Sequence, residues 1–350
     1  MIIFSKALAD QATVWETLRE TENCQNLPPD LVRFSAEAKP VVMWNLTRQC
    51  NLACQHCYMD AKSSGRDEMS LEEGIRLIDD LAEMKIPVLI FTGGEPLLSK
   101  NFYAYAFHAR EVGLRTVIST NGTVITPEVA RLLAEAKIRY VGVSLDSARP
   151  ESHDKFRGVS GAHAMALQGL KNARDAGLRT GLRVTLTRDN WHEVPALLDL
   201  ALDQNIPRFC LYHLVPTGRG AGIADRDVTP EQRRSVIKLL AEAAVELKGK
   251  EIEILTTDSP MDGAYLLELL KGDPRRENVA HLLRNAGGCS TGTKVANINH
   301  RGDVHPCHFM PQIVVGNVRE RSFRDIWIDN PVPELLELRK IREHLKGACR

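Results

Sequence analysis

Short apolar runs alternate with amphipathic stretches along most of this chain, beginning at Val41. The runs are rich in β-branched residues and have strand length, whereas the stretches repeat apolar residues at helical spacing. The strands predicted by this pattern are Val41–Leu46, Val88–Thr92, Thr116–Ser119, Tyr140–Leu145, Gly181–Leu186 and Phe209–Val215. The helices predicted between them are Ser70–Lys85, Asn101–Val112, Pro127–Ala136, Ala162–Ala176 and His192–Gln204.

Strands that alternate with helices favour an α/β fold with a parallel sheet. The six units predict a partial (β/α)6 barrel over residues 41–257, in which the helix Pro230–Leu247 and a short strand, Ile252–Leu255, follow the sixth strand. Ser70 precedes Glu73 by three positions, which predicts a capping box at the first helix of the barrel. Residues 1–40 are predicted to be helical or irregular, with a break at Pro28-Pro29.

Composition changes in the C-terminal part of the chain. A polar stretch leads to Gly287-Gly288-Cys289, and glycine, asparagine and cysteine then accompany short β-like runs. We place a domain boundary near Asp258, so that residues 258–350 form a small cysteine-containing extension. The β-like runs of this extension are Val295–Asn299, Asp303–His305 and Val314–Asn317.

Charge and hydropathy exclude several classes of protein. Lys+Arg and Asp+Glu are both 45, so no global field favours nucleic acid or a membrane surface as a partner. The sequence has no apolar run long enough to span a bilayer and no signal peptide. Its 8 cysteines are too sparse for a disulfide scaffold. We therefore expect a cytoplasmic protein with reduced cysteines.

The three cysteines that follow the first predicted strand carry the strongest chemical signal. Cys50, Cys54 and Cys57 have the spacing C-x3-C-x2-C, and three thiolates can hold three irons of a [4Fe–4S] cube. No fourth cysteine belongs to this motif, which leaves one iron open to another ligand. Zinc is the alternative, but tetrahedral zinc sites usually combine two half-sites, and only one is present here.

A Gly-rich motif follows the next predicted strand, at Gly93-Gly94-Glu95-Pro96. Together with the cysteine spacing, it resembles the radical S-adenosylmethionine (SAM) superfamily. In that family the open iron chelates SAM, and the reduced cluster cleaves SAM to a 5′-deoxyadenosyl radical. The resemblance implies that Gly93, Gly94 and Glu95 bind the amino group of SAM, and glycines also let a ligand approach the backbone closely. The alternative is a plain Gly-rich turn with a solvated glutamate.

The resemblance implies further SAM contacts, which are His56 at the adenine, Ser144 and Asp146 near the ribose and methionyl parts, and Arg183 at the carboxylate. Two more candidates follow from their places at strand ends. They are Leu214, as an apolar floor of the adenine pocket, and Asn121, at the ribose hydroxyls or carboxylate. Asn121-Gly122 is also a common turn dipeptide, and His56 could simply be a packing residue. For Arg183 the alternative is a salt bridge to Asp146 or Glu95.

The cysteines of the C-terminal extension resemble the auxiliary-cluster extension called SPASM or Twitch. Cys289, Cys307 and Cys349 are the candidate ligands of an auxiliary [4Fe–4S] cluster, and His305 or His308 could supply a fourth ligand. The typical extension continues with more cysteines where this chain reaches Arg350, so processing has removed them or the extension is abbreviated. Cys24 and Cys210 are predicted to be isolated small apolar residues.

Longer segments resemble one branch of the family, which modifies siroheme-derived tetrapyrroles in heme and heme d1 biosynthesis. They are Trp44–Arg48, Phe91–Leu97, Tyr212–Gly220 and His305–Phe309. This branch removes acetate or propionate-derived groups, with ferredoxin or flavodoxin as electron donor. Arg157, Arg188 and Arg219 are candidates to bind the carboxylates of such a macrocycle.

Two other functions remain open. One is maturation of a ribosomal peptide, which needs a leader-binding domain that residues 1–40 are too few to form. The other is a non-catalytic iron–sulfur or zinc scaffold, which would leave Glu95 and Arg183 without a task.

Overall fold

The computed structural model of the chain describes residues 1–9, 39–62, 67–286, 288–344 and 346. These residues form one sheet of 11 strands, with the order β1-β8-β7-β6-β5-β4-β3-β2-β9-β10-β11. The strands are β1 Ile2–Ile3, β2 Val41–Asn45, β3 Leu89–Thr92, β4 Thr116–Thr120, β5 Val141–Ser144, β6 Thr180–Leu186, β7 Arg208–His213, β8 Glu253–Thr257, β9 Val295–Ile298, β10 Asp303–His305 and β11 Gly316–Asn317.

The helices lie mainly between successive strands of this sheet. They are α1 Phe4–Ala9, α2 Leu71–Glu83, α3 Phe102–Glu111, α4 Pro127–Glu135, α5 Pro150–Arg157, α6 Ala162–Asp175, α7 Val194–Asp203, α8 Pro230–Glu246, α9 Met261–Leu269, α10 Arg276–Ala286, α11 Pro333–Arg339 and α12 Ile341–His344. The predicted capping box at α2 is confirmed: Ser70 Oγ accepts the Glu73 N–H, and Glu73 accepts the Ser70 N–H at 2.7 Å.

Seven neighbouring strands, β2 to β8, are parallel, and each pairs with the next along the chain. The predicted partial barrel is therefore confirmed, with β8 as a further parallel strand after the six predicted units. The sheet ends at β1 and β11, so it stays open. Strand β9 pairs in parallel with β2 and continues the sheet into the C-terminal part.

The two faces of the sheet differ in chemistry because strand residues alternate between them. On the outer face, Trp44 and Phe91 belong to the large core that the strands share with the helices. On the inner face, Val88, Val117 and Tyr140 form a small separate apolar cluster. Near the carboxyl ends of the strands the inner face becomes polar, with the paired residues Asn45 and Thr92, Ser144 and Arg183, and Thr185 and Tyr212.

Several elements were not expected from the pattern of apolar residues. Helix α5 has a strongly polar sequence, PESHDKFR, and α9 and α10 lie in the stretch that was described only as polar. At the start of the chain, β1 pairs with β8. The predicted break at Pro28-Pro29 lies outside the described residues. None of the helices in the described parts of the chain is both long and apolar enough to cross a membrane.

Candidate active site

The three cysteines lie on the loop that follows β2, which we call the cysteine loop (residues 46–62). The two ends of this loop are joined by backbone hydrogen bonds, from Cys50 N to Lys62 O and from Lys62 N to Arg48 O, both 2.8 Å. The loop therefore closes on itself at the carboxyl edge of the parallel strands, where active sites of such sheets form.

Each sulfur of the three cysteines accepts an N–H group. Leu52 N lies 3.4 Å from Cys50 Sγ, Ala61 N lies 3.3 Å from Cys57 Sγ, and an Arg157 nitrogen lies 3.5 Å from Cys54 Sγ. Such donors suit sulfurs that carry negative charge as cluster ligands. Burial raises the pKa of Cys50 to about 12 and also raises the pKa of Cys54, so metal loading would displace protons.

No three His, Cys, Asp or Glu side chains of the described residues are grouped around a position for a single metal ion. In a [4Fe–4S] cube each cysteine would ligate a different iron, so the three sulfurs need not surround one ion. The free thiols and their N–H donors fit that arrangement.

The loop after β3 is attached directly to the cysteine loop. Gly94 N donates to Thr47 O at 2.7 Å, and Glu95 N donates to Gln49 O at 2.8 Å. A Cβ at Gly93 would lie 2.7 Å from Thr47 O, and one at Gly94 would overlap the Gln49 carbonyl. The space beside these two glycines is therefore occupied by the chain's own backbone, whereas the sequence predicts that a ligand approaches there.

Glu95 is fully buried and accepts three hydrogen bonds from the protein. Its Oε1 accepts from Thr120 Oγ1 at 2.8 Å and Leu97 N at 3.2 Å, and its Oε2 accepts from Asn121 N at 2.8 Å. Burial raises the pKa of Glu95 to about 7. The carboxylate thus ties the loop after β3 to the end of β4, and its contact with SAM stays a prediction.

Asn121 lies between the end of β4 and the cysteine loop. Its Nδ2 donates to Asn51 Oδ1 at 2.9 Å and lies 3.9 Å from Cys50 Sγ. The predicted ligand contact of Asn121 is untested, but the structure places its side chain beside the first cysteine.

Asp146 and Arg157 form a buried ion pair behind Cys54. The guanidinium lies 2.5 Å from Asp146 Oδ2, and Asp146 Oδ1 accepts Thr185 N at 2.8 Å. Burial alone would raise the pKa of Asp146, but Arg157 and two nearby histidines lower it below its ordinary value. Arg157 was a candidate for binding substrate carboxylates, and this candidate is wrong because the side chain is buried and already paired.

The end of α5 holds the other side of the cysteine loop. Ala53 N donates to Arg157 O at 2.9 Å, and Gln55 N donates to Phe156 O at 3.0 Å. The His56 ring stacks on the Phe156 ring with centroids 4.5 Å apart. One face of His56 is therefore covered by Phe156, and burial lowers its pKa to about 3.

Arg219 also binds the cysteine loop. Its guanidinium donates to Cys54 O at 2.8 Å and to Ala61 O at 2.6 Å, and it pairs with Asp60 at 3.1 Å. Its Nε and Nη1 are therefore occupied by the protein, which argues against its predicted role with substrate carboxylates. Arg188 is exposed, and its Nε donates to Asp227 O at 2.7 Å.

Arg183 lies on the inner face of β6, where its guanidinium is 4.5 Å from the Tyr212 ring centre and donates to Tyr212 Oη at 3.0 Å. The alternative salt bridges to Asp146 and Glu95 are wrong, since both carboxylates bond elsewhere. In the part of the chain that the structure describes, Arg183 has no carboxylate partner. An anionic ligand would satisfy this charge.

Two further predicted residues lie at the carboxyl ends of β5 and β7. Ser144 ends β5 and is the ladder partner of Arg183. Leu214 is buried directly after β7, which ends at His213 rather than at the predicted Val215. Their contacts with SAM remain predictions.

In the C-terminal part, Cys289 is exposed and Cys307 is half-buried. Cys289 Sγ lies 3.0 Å from Thr291 Oγ1. Burial raises the pKa of Cys307, a hydrogen bond with the Thr291 side chain lowers it, and the charge of Cys289 raises it. The two cysteines are therefore neighbours. Cys349 and Cys24 lie outside the described residues. Cys210 is buried, in agreement with its prediction.

The two histidines near Cys307 differ in availability. His305 uses both ring nitrogens, with Nδ1 at 2.8 Å from Ile313 O and Nε2 at 3.2 Å from Asn299 Nδ2, so it is not free to be a cluster ligand. His308 Nδ1 lies 3.8 Å from Cys307 Sγ, and its ring meets Tyr58 edge-on at 5.3 Å.

Sequence reasoning missed three contributors to this site. They are the backbone carbonyls of α5, the Thr120 hydroxyl on Glu95, and the Tyr58 hydroxyl, which donates to Asn45 Oδ1 at 2.8 Å. Thr120 could have been noticed, because it ends a strand next to Asn121.

Comparison with known proteins agrees with this geometry. The pattern of the radical SAM superfamily matches residues 44–201, and that of the SPASM iron–sulfur cluster-binding domain matches residues 289–350. SuiB of Streptococcus suis bound to S-adenosylmethionine has the same fold, with a TM-score of 0.70 over 87% of this chain and 69% of that chain at 18% identity. This chain belongs to the radical SAM superfamily. It is an enzyme with a [4Fe–4S] cluster, SAM and a C-terminal iron–sulfur domain.

Within the superfamily, the chain lies in the heme biosynthesis branch. Fe-coproporphyrin III synthase of Methanosarcina barkeri is 44% identical, over 94% of this chain and 84% of its own length. Pre-heme d1 synthase of Dinoroseobacter shibae is 38% identical, over 92% and 80%. A mycofactocin maturase of Mycolicibacterium smegmatis is 30% identical, over 89% and 75%. The non-catalytic scaffold hypothesis is therefore wrong.

Proposed function

We propose that this enzyme removes carboxylate-bearing groups of the acetate or propionate type from a siroheme-derived tetrapyrrole. The observation that carries the proposal is the 44% identity, over nearly the whole chain, to a protein named Fe-coproporphyrin III synthase. The likeness to a pre-heme d1 synthase supports the same substrate class. The peptide maturase alternative has weaker support, at 30% identity.

In this proposal Cys50, Cys54 and Cys57 hold the first cluster, and Arg183 faces the carboxylate of SAM. When bound, the reduced cluster and SAM supply a carbon-centred radical that takes a hydrogen atom from the substrate side chain. The protein's own residues fix the geometry: the end of α5 and Arg219 hold the cysteine loop from two sides. The apolar cluster on the inner face lies on the same strands and would help to exclude water from the radical.

Substrate carboxylates need cations that are not already paired. Arg157 and Arg219 are occupied, which leaves Arg188 as the exposed member of the three original candidates. We propose Arg188, two residues after the end of β6, as a carboxylate contact at the carboxyl edge of the sheet. A guanidinium can bind a carboxylate in a bidentate manner.

Two further groups belong to the proposal. Cys289, Cys307 and Cys349 would hold the auxiliary cluster, for which His308 remains a candidate fourth ligand. A ferredoxin or flavodoxin would donate the electron that reduces the first cluster, in the cytoplasm.

The test is an anaerobic incubation of the reconstituted enzyme with SAM, a reductant and candidate siroheme derivatives, read by mass spectrometry. We expect loss of carboxylate-bearing groups from one tetrapyrrole together with formation of 5′-deoxyadenosine. The Cys54→Ala variant, prepared in the same way, should yield neither product. Formation of 5′-deoxyadenosine with every tetrapyrrole unchanged would contradict the proposed substrate class.

A further inference from the structure

A buried positive charge lies against one sulfur of the cysteine loop. Arg157 is 6% exposed, and its Nη1 is 3.5 Å from Cys54 Sγ. The sulfurs of Cys50 and Cys57 accept neutral backbone N–H groups instead. Cys54 is therefore in a different electrostatic environment from the other two cysteines.

The position of this charge is fixed by its surroundings. Asp146 Oδ2 accepts from Arg157 Nε at 2.6 Å, and Asp146 itself is held by Thr185 N at 2.8 Å. The backbone of Arg157 accepts the N–H of Ala53, next to Cys54, at 2.9 Å. Because side chain and backbone are both attached, the guanidinium cannot turn away from the sulfur.

We propose that Arg157 is a positioning residue that raises the reduction potential of the cluster held by Cys50, Cys54 and Cys57. The inference rests on the cluster assignment of the proposed function. Reduction adds one electron to the cluster and takes up no proton at Arg157, so the cluster becomes more negative. A hydrogen bond and a positive charge at a ligand sulfur stabilise that reduced state. The Asp146 carboxylate lies behind Arg157 and acts in the opposite direction.

The experiment is a redox titration of the reconstituted full chain, followed by electron paramagnetic resonance. The first cluster is identified as the signal that shifts when SAM is added. In Arg157→Gln we expect the ratio of reduced to oxidised first cluster to fall about tenfold at a fixed solution potential. For a one-electron couple this corresponds to a midpoint potential about 59 mV more negative. In Asp146→Asn the midpoint should become less negative.

Arg149→Gln is the matched control. Arg149 precedes α5, its side chain is 61% exposed, and it pairs with Glu193 rather than with the cysteine loop. This variant removes the same charge and should leave the midpoint unchanged.

An unchanged or less negative midpoint in Arg157→Gln would overturn the inference. If that variant cannot retain the cluster, Asp146→Asn decides: a less negative midpoint supports the inference, and an unchanged or more negative midpoint overturns it. A wild-type chain without any signal that responds to SAM would instead overturn the cluster assignment itself.

Discussion

The buried polar side chains around the cysteine loop form hydrogen bonds that hold neighbouring backbone and side chains in place. Glu95 accepts three hydrogen bonds from residues of two strand ends, and Asp146 accepts from Arg157 and the backbone of Thr185. A buried carboxylate without such partners would cost several kcal/mol. These residues therefore contribute to the site by fixing backbone, which is a different role from direct contact with a ligand.

His56 provides a pH-dependent test at this scale. Burial lowers its pKa to about 3 in the folded protein, from an ordinary value of 6.5. Below pH 6.5 the unfolded chain binds a proton that the folded chain does not, so stability falls as pH falls. We expect the unfolding free energy of the metal-free wild type to fall by about 1.4 kcal/mol for each pH unit below 6.5, compared with that of His56→Phe. Urea unfolding between pH 5.5 and 7.5 measures this difference.

A His56→Phe variant with the same pH dependence as wild type would show that His56 titrates normally in the folded chain.

At the scale of elements, the short helix α5 helps to fix the position of the cysteine loop. It has eight residues, and its last two carbonyls accept N–H groups of the cysteine loop. Gly158 ends the helix in the left-handed region, at φ +74°. A Cβ there would lie 2.9 Å from the Ala53 carbonyl oxygen, so helix and loop meet at a glycine.

Gly158→Ala should therefore disturb the loop as well as the helix end. Gly113 is the matched control, because it also has φ +74° but has open space around its Cβ position. Both variants should pay about 1 kcal/mol for a left-handed alanine. Only Gly158→Ala should also lower the iron content after reconstitution, as measured by a colorimetric iron assay. Equal iron content in the two variants would argue against the contact between helix and loop.

The strands of the barrel could be predicted because each is a short apolar run with its own local signal. Helix α5 could not, since its sequence is polar and its role depends on contacts outside the helix. Arg157 reaches Cys54 across 103 positions of sequence, and only the fold brings the two together. Because such long-range contacts cannot be seen in the sequence, the sequence alone predicts Arg157 and Arg219 as contacts of substrate carboxylates.

On the scale of the whole molecule, the C-terminal part is joined to the barrel by its sheet. Strand β9 pairs with β2, from which the cysteine loop continues. The Tyr58 ring meets His308 at 5.3 Å and Phe309 at 5.7 Å, on the segment that follows Cys307. The cysteines of the two parts therefore lie on adjoining segments, although the domain boundary near Asp258 stays a prediction.

Replacing two of the three C-terminal cysteines, Cys289→Ala with Cys307→Ala, should separate the two clusters. We expect loss of about four irons per chain, with cleavage of SAM retained, because the first cluster keeps its three ligands. Iron and 5′-deoxyadenosine are measured on the same preparation. Cys210→Ala, at a buried cysteine of β7, should leave iron content unchanged. Full iron content in the double variant would contradict the assignment of these cysteines.

The most direct test of the whole account is formation of 5′-deoxyadenosine from SAM by the reduced, anaerobically reconstituted protein. Wild type and Cys210→Ala should form it, whereas Cys54→Ala should form none, because the cube would lose the ligand that Arg157 contacts. Formation of 5′-deoxyadenosine by Cys54→Ala at the wild-type rate would contradict the claim that the cysteine loop holds the cluster that cleaves SAM.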